Sequence, residues 1–277
     1  MITGYFTQPE GVPPLCAPPS PYKGPRLDLG AVTLVIIETM LHDLAREAAR
    51  DCLRHADYGE VLLFSDRVID IPGAVVSICE EKITGGDQHT LTKFFLYGPW
   101  LERVKTPFVQ LLHWDSWIVD PLMWTPAFLE YDYIGAPWGY TDGRNVGCGA
   151  FAIRSVELMR FLAANQDQYP FAPREDDALG RDYRPYLEKS GFSWAPDNLA
   201  LQFCFECSRT DTGRGRHFGF HEVRNWPLVL PCDALLDRIG MAMRHEYLHR
   251  SGKLAQLLIG APWVAKHLIE DAKRAHG

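Results

Sequence analysis

Wholly apolar runs alternate along this chain with stretches of helical period. Val32-Thr33-Leu34-Val35-Ile36-Ile37 and Val61-Leu62-Leu63-Phe64 read as buried strands. Between them, residues 41–55 set Leu44, Ala48 and Cys52 on one face, which predicts a helix. Residues 75–78 predict a third strand. Strand, helix and strand at this spacing predict a parallel βαβ unit, whose ligands bind beyond the carboxyl ends of the strands. Those ends carry Glu38, Thr39, Ser65 and Asp66. The expected fold is α/β and Rossmann-like, a mostly parallel mixed sheet with helices on both faces.

Further along, residues 89–104 predict a helix that feeds the apolar run Phe108-Val109-Gln110-Leu111-Leu112. Residues 155–165 predict a short helix, with Ser155 as N-cap and Glu157 in the first turn. Residues 195–207 predict another after Pro196, and the chain from Cys232 onward is helical, broken near Gly252 and at Gly260-Ala261-Pro262. Residues 1–30 are rich in proline and read as an extended arm. The expected organisation is therefore an arm over 1–30, one α/β domain over 31–230 and a helical extension over 231–277.

Chemistry concentrates between Phe108 and Ser155. The Phe108 strand delivers Asp115 where the chain stops being apolar. A carboxylate at the end of an interior strand is costly unless something binds it, and a divalent cation held for a phosphate ligand is one reason to keep it there. A turn capped by the Asp115 side chain is the alternative. An apolar run over residues 129–138 turns at Gly135-Ala136-Pro137, and Gly147-Cys148-Gly149 before Phe151 lets backbone approach a ligand closely. Glu175-Asp176-Asp177 is a like-charge cluster whose mutual repulsion raises at least one pKa, which suits a base and equally suits an acidic helix N-terminus.

The run HWDSWIVDPLMWTPAFLEYDYIGAPW, the later VGCGAFAIRS, the acidic pair of PREDD, FSWAPDNLALQFCFE and FGFH occur in that order between about Val32 and Pro227. Together they resemble a widespread group of glycosyltransferase-like proteins, mostly bacterial and fungal, classed as a domain of unknown function. The resemblance implies a glycosyltransferase A-type fold and metal-assisted, inverting transfer of a sugar from a nucleotide-sugar donor, UDP-sugar first, to a glycan or other hydroxyl acceptor. It implies Mn2+ or Mg2+ at Asp115 and His221, donor contacts from Glu38, Thr39, Asp66, Lys93, Gly147, Cys148 and Gly149, and acceptor activation by Asp176 beside Glu175. Two departures stand out. Trp114-Asp115-Ser116 holds one acid where a DxD motif has two, and Gly147-Cys148-Gly149-Ala150 replaces GNGG. Asp120 lies too far along to replace the missing acid. Arg154 is expected to reach a phosphate or an acid such as Glu157, and Trp138 to stack on a sugar or fill the core.

The totals remove other classes. The 277 residues carry 28 basic and 35 acidic side chains, a net charge of -7, which argues against a protein that coats nucleic acid. Seven cysteines are scattered, and Cys204-x-x-Cys207 lacks a partner pair at zinc spacing, so reduced thiols and a cytoplasmic location are expected. The start of the chain lacks the pattern of a secretory signal. No apolar run approaches the roughly 20 residues that span a bilayer, so a soluble chain is expected, with peripheral membrane contact and oligomeric state left open.

One motif competes. His245-Glu246-Tyr247-Leu248-His249 matches HExxH, in which two histidines one helical turn apart chelate zinc and the glutamate serves as base. It lies near the C-terminus, with little chain left to build a cleft. A zinc metallopeptidase is thus one alternative, and a nucleotide-sugar binder without turnover is another.

Overall fold

In the computed structural model, which describes residues 22–71, 75–79, 83, 88–169, 174–206 and 216–260, the first apolar run lies within β1, Leu27–Ile37. Strand β2, Ala56–Ser65, pairs with it in parallel, and β3, Val75–Cys79, adds to β2 in parallel. Helix α1, His42–His55, is the crossover between β1 and β2 and buries Leu44, Ala48 and Cys52 as its period predicts. The Glu38 carboxylate starts it by accepting the backbone N–H groups of Met40 (2.7 Å) and Leu41 (2.9 Å).

On the other side of β1 lies β4, Phe108–Leu112, in parallel. The short strand β5, Ser116–Ile118, follows, then β6, Tyr133–Ile134, and β7, Phe151–Ser155, both in antiparallel ladders. The main sheet runs β3-β2-β1-β4-β7-β6. Consecutive buried residues along Val32–Ile37 and Val109–Leu112 mean that both faces are covered. The fold is therefore α/β with a mostly parallel mixed sheet. Two further strands, β8 (Cys204–Phe205) and β9 (Gly219–His221), join β5 in a small sheet of order β5-β9-β8.

Two predicted helices end early. Helix α2, Gln88–Tyr97, stops before Gly98-Pro99 and gives way to a 3-10 turn, Pro99–Arg103, because proline pushes the preceding residue out of the helical region. Helix α3, Val156–Ala164, has the predicted cap: Ser155 Oγ accepts the Leu158 N–H at 3.1 Å. A single turn, α4 (Glu175–Asp177), runs into a π-helical turn, Ala178–Asp182, and then α5, Arg184–Lys189. Helix α6 covers Asp197–Phe203 only, since Cys204 and Phe205 leave it to pair with Gly219 and Phe220.

Phe128, Phe151, Phe203 and Phe218 pack ring against ring at 5.1–6.1 Å and are fully buried. They come from four separate stretches of the chain and clamp the small sheet to the large one; each is worth about 1.5–3 kcal/mol of burial. Residues Tyr22–His221 make one compact unit. Glu222 onward belongs to another, whose described helices are α7 (Trp226–Val229), α8 (Cys232–Ala242), α9 (Glu246–Arg250) and α10 (Lys253–Gly260). Most of the predicted arm, residues 1–21, lies outside the described residues, while Leu27–Gly30 belong to β1.

Candidate active site

The order of the main sheet reverses between β1 and β4, and the crevice beyond their carboxyl ends is where open α/β sheets take ligands. Asp115 stands there, fully buried, in a tight turn after β4. The turn closes through Ser116 N–H to His113 O at 3.3 Å. Antiparallel pairing of Leu112 with Phe151 brings the loop before β7 alongside it. His113 N–H donates to Ala150 O at 3.0 Å, and Ser116 Oγ–H donates to the same oxygen at 2.9 Å. Gly147-Cys148-Gly149 is thereby fixed beside Asp115.

The small sheet supplies the rest. In its register Ser116 faces His221, and parallel pairing of Phe205 with Phe220 carries Glu206 to the same place. His221 Nε2 lies 3.3 Å from Asp115 Oδ1, while Nδ1 lies 2.7 Å from Glu206 Oε1 and 3.6 Å from Cys148 Sγ. Trp138 Nε1–H holds the other Glu206 oxygen at 3.1 Å. The His113 ring meets the His221 ring edge-on at 6.0 Å. Burial alone would lower the His221 pKa, but Asp115, with Cys148 and Glu206, overrides it and holds the imidazole well above its ordinary value. Burial pushes the Cys148 thiol up, and the neighbouring Cys204 and the charge of Glu206 push it further.

Two overlapping groups have ligand atoms within 4.8 Å of one another: His113, Asp115 and His221, and Cys148, Glu206 and His221. Two imidazoles and a carboxylate fit a transition metal such as Mn2+ better than Mg2+, which prefers oxygen donors. Glu206 on Nδ1 orients His221 so that Nε2 faces Asp115, the arrangement by which a carboxylate behind a histidine prepares it as a ligand.

The acidic turn closes the site on another side. A Cβ on Gly149 would fall 1.6 Å from Glu175 Oε1 and 3.3 Å from Asp176 Cβ, so only glycine permits this approach. Glu175 is buried against Arg154, itself fully buried, with Nη2 to Oε2 at 2.5 Å. Burial raises the Glu175 pKa to about 7, with Arg154 pulling it down and Asp176 pushing it up. Arg154 also lies over the Tyr133 ring at 5.1 Å. Of the two roles expected for Arg154, a phosphate or an acid such as Glu157, the described structure shows an acid, and it is Glu175, since the buried guanidinium needs a buried partner. Asp176 is partly exposed beside Glu175 and accepts the Asp177 N–H at 2.9 Å. The π-helical turn that follows is an irregularity often found at functional sites. Cys148 itself takes φ +67°, a left-handed conformation uncommon outside glycine and asparagine, and its carbonyl accepts the Tyr133 O–H at 3.0 Å.

The remaining predicted positions are more dispersed. Glu38 and Thr39 follow β1, and the Glu38 carboxyl, raised by burial, is engaged with the start of α1. Asp66 binds His42 Nε2 at 2.6 Å; against burial, the His42 and Ser65 hydrogen bonds hold its pKa down. Lys93 is exposed on α2. Trp138 is half-buried, its ring packed where a Gly147 side chain would stand, so it supports the loop. Asp120 caps a 3-10 turn through Leu122 N–H and pairs with Arg216 at 2.6 Å, away from Asp115. Cys207 lies outside the described residues.

The HExxH segment does not form the helix its spacing requires. His245 precedes α9 with extended backbone (φ −102°, ψ 111°), so it and His249 do not share a helical face. Glu246 pairs with Arg250, His249 Nε2 lies 2.8 Å from Met243 O, and neither histidine is among the metal-capable groups of the described residues. Conversely, His113 and Glu206 were not anticipated. His113 had a signal, being two residues before Asp115, whereas Glu206 is recognisable only through the pairing of β8 with β9.

A family model described as "Protein of unknown function (DUF5672)" matches residues 79–221. No curated protein matches the chain. Similar solved structures include glucosyl-3-phosphoglycerate synthase from Mycobacterium tuberculosis in complex with Mn2+, UDP and glucosyl-3-phosphoglycerate, at 15% identity over 59% of this chain and 68% of that one, TM-score 0.38. The apo form of the glycosyltransferase GlyE in Streptococcus pneumoniae TIGR4 is 13% identical over 68% of this chain and 53% of its own, TM-score 0.39. The galactosyltransferase LgtC, with donor and acceptor sugar analogs, is 12% identical over 80% and 99%, TM-score 0.42. Likeness at this level says nothing about activity. Among the described residues, no helix is long and apolar enough to cross a membrane.

Proposed function

The chain belongs to the DUF5672 family, and from its own residues we propose a metal-assisted glycosyltransferase of the A-type fold, moving a sugar from a nucleotide-sugar donor to an acceptor hydroxyl. The observation that carries this reading is the meeting of His113, Asp115 and His221 at the sheet's reversal point, beside a glycine loop that abuts Glu175 and Asp176. A nucleotide diphosphate is the ligand class that such a crevice and such a cation site serve together. Mn2+ held by His113, Asp115 and the Nε2 of His221 would supply positive charge for the departing diphosphate.

The chain's own groups divide the remaining work. Glu206 keeps His221 oriented, and Trp138 keeps Glu206 in place. The glycine loop Gly147 to Gly149 lets the donor sugar approach the backbone closely, and Thr39, with Glu38 and Asp66 at the strand ends and Lys93 on α2, contacts the nucleoside and phosphates. Asp176 takes the proton from the acceptor hydroxyl as it attacks, giving inversion. Glu175, tied to Arg154, braces the loop instead of exchanging protons with substrate.

Thermal-shift measurement with UDP, GDP and CDP, each with Mn2+ or with chelator, tests this directly, because a ligand that binds only the folded chain raises its melting temperature. One nucleotide is expected to stabilise the protein only when Mn2+ is present, and Asp115→Asn is expected to abolish the shift while leaving the unliganded melting temperature within a few degrees. Metal-independent stabilisation, or an undiminished shift in Asp115→Asn, refutes the assignment.

A further inference from the structure

His221 stands between two different donor sets. On its Nε2 side are the Asp115 oxygen at 3.3 Å and His113; on its Nδ1 side are the Glu206 oxygen at 2.7 Å and the Cys148 sulfur at 3.6 Å. The first set is nitrogen and oxygen only. The second includes sulfur, and sulfur ligands select thiophilic ions over Mn2+ or Mg2+. Cys148 is in no disulfide, and its placement is fixed: left-handed backbone between two glycines, with the carbonyl held by Tyr133 O–H, aims Sγ at the imidazole.

We propose that Cys148 Sγ, Glu206 and His221 Nδ1 form a second metal site, for a thiophilic divalent cation such as Zn2+ or Cd2+, whose occupation excludes Mn2+ from the Asp115 side; the exclusion rests on the transferase reading above. A neutral imidazole has one lone pair. When Nε2 ligates a cation beside Asp115, Nδ1 carries the proton and donates it to Glu206. When Nδ1 ligates a cation beside Cys148, Nε2 carries the proton and donates it to Asp115. The two states cannot coexist on one neutral ring. Binding at the sulfur side requires the Cys148 thiolate, so the S–H proton leaves to solvent as the metal–sulfur bond forms. A thiophilic ion thereby switches off the centre through its own histidine.

Co2+ is the probe, since a thiolate ligand gives it an intense charge-transfer band in the near ultraviolet, while Mn2+ uptake is followed separately by electron paramagnetic resonance. The wild-type chain is expected to show the band, and Cys148→Ser to lose it with Zn2+ affinity falling at least about tenfold. Asp115→Asn is expected to lose Mn2+ and keep the band. Cd2+, softer than Zn2+, should at one equivalent per chain release bound Mn2+ from the wild type but not from Cys148→Ser. Cys148→Ala serves equally if the serine variant fails to fold. A band that survives in Cys148→Ser, or Co2+ binding without a band in Asp115→Asn, overturns the site; Mn2+ retained in the wild type alongside one equivalent of bound Cd2+ overturns the exclusion. Absence of Mn2+ uptake in every chain sinks the transferase reading and the exclusion with it, while the band still decides whether the sulfur site exists.

Discussion

Replacing Glu175 by glutamine isolates the buried carboxyl behind the glycine loop. The glutamine side chain is nearly isosteric and still accepts a hydrogen bond from Arg154 Nη2, which holds Glu175 Oε2 at 2.5 Å in the parent. Its amide does not titrate in this range. Below pH 4.5 the parent carboxyl is protonated whether the chain is folded or not, and its contribution to stability is fully present. As pH rises toward about 7, the unfolded chain loses this proton while the folded chain keeps it, so that contribution drains away. A rise from 4.5 to about 7, at about 1.4 kcal/mol for each pKa unit, amounts to about 3 kcal/mol. Urea unfolding of both proteins across this window, followed by tryptophan fluorescence, reads the difference directly, and groups untouched by the substitution cancel. The parent is expected to lose about 3 kcal/mol relative to Glu175→Gln between pH 4.5 and 7, and nothing further above it. Parallel stability profiles would show that Glu175 titrates as it does in the unfolded chain, and the account of the buried pair would be wrong.

Ser155→Ala removes an oxygen that accepts the Leu158 N–H at 3.1 Å and donates to Asp132 at 2.6 Å, so denaturant unfolding should show a loss of about 1–2 kcal/mol; no loss would refute the cap. Gly149→Ala places a methyl 1.6 Å from Glu175 Oε1, which Arg154 prevents from swinging aside, and should cost about 3 kcal/mol by the same measurement. Asp176→Asn should keep Mn2+-dependent nucleotide stabilisation while kcat falls at least about 100-fold, and full turnover would remove Asp176 as the base.

The parallel core was legible because buried strands and an amphipathic helix write local patterns: Val32–Ile37, α1 and β2 lie where their periods put them. Helix ends were legible only where a local rule decides. Ser155 capped as expected, whereas α6 yielded Cys204 and Phe205 to β9, a partner that no window around them contains. The same distinction divides the site. Asp115 and His221 were expected as partners and stand 3.3 Å apart, while Glu206 acquires a place only through strand register. The HExxH spacing shows the converse: the right residues were present, but the backbone at His245 is extended, and spacing without a helix puts no two side chains on one face.

The small sheet has a consequence for when this protein becomes competent. Its register pairs Ser116 with His221, far apart in the chain, through strands of only three and two residues. During synthesis the main sheet can form as soon as β7 has emerged, yet a chain halted before Gly219 has neither His221 nor anything for Ser116 and Cys204 to pair with. Such distant, sparse pairing forms after local structure has closed most of the loop. On the proposed reading, metal capture by Asp115 and His221 is withheld until synthesis has passed β9, whatever the state of the unit that begins at Glu222.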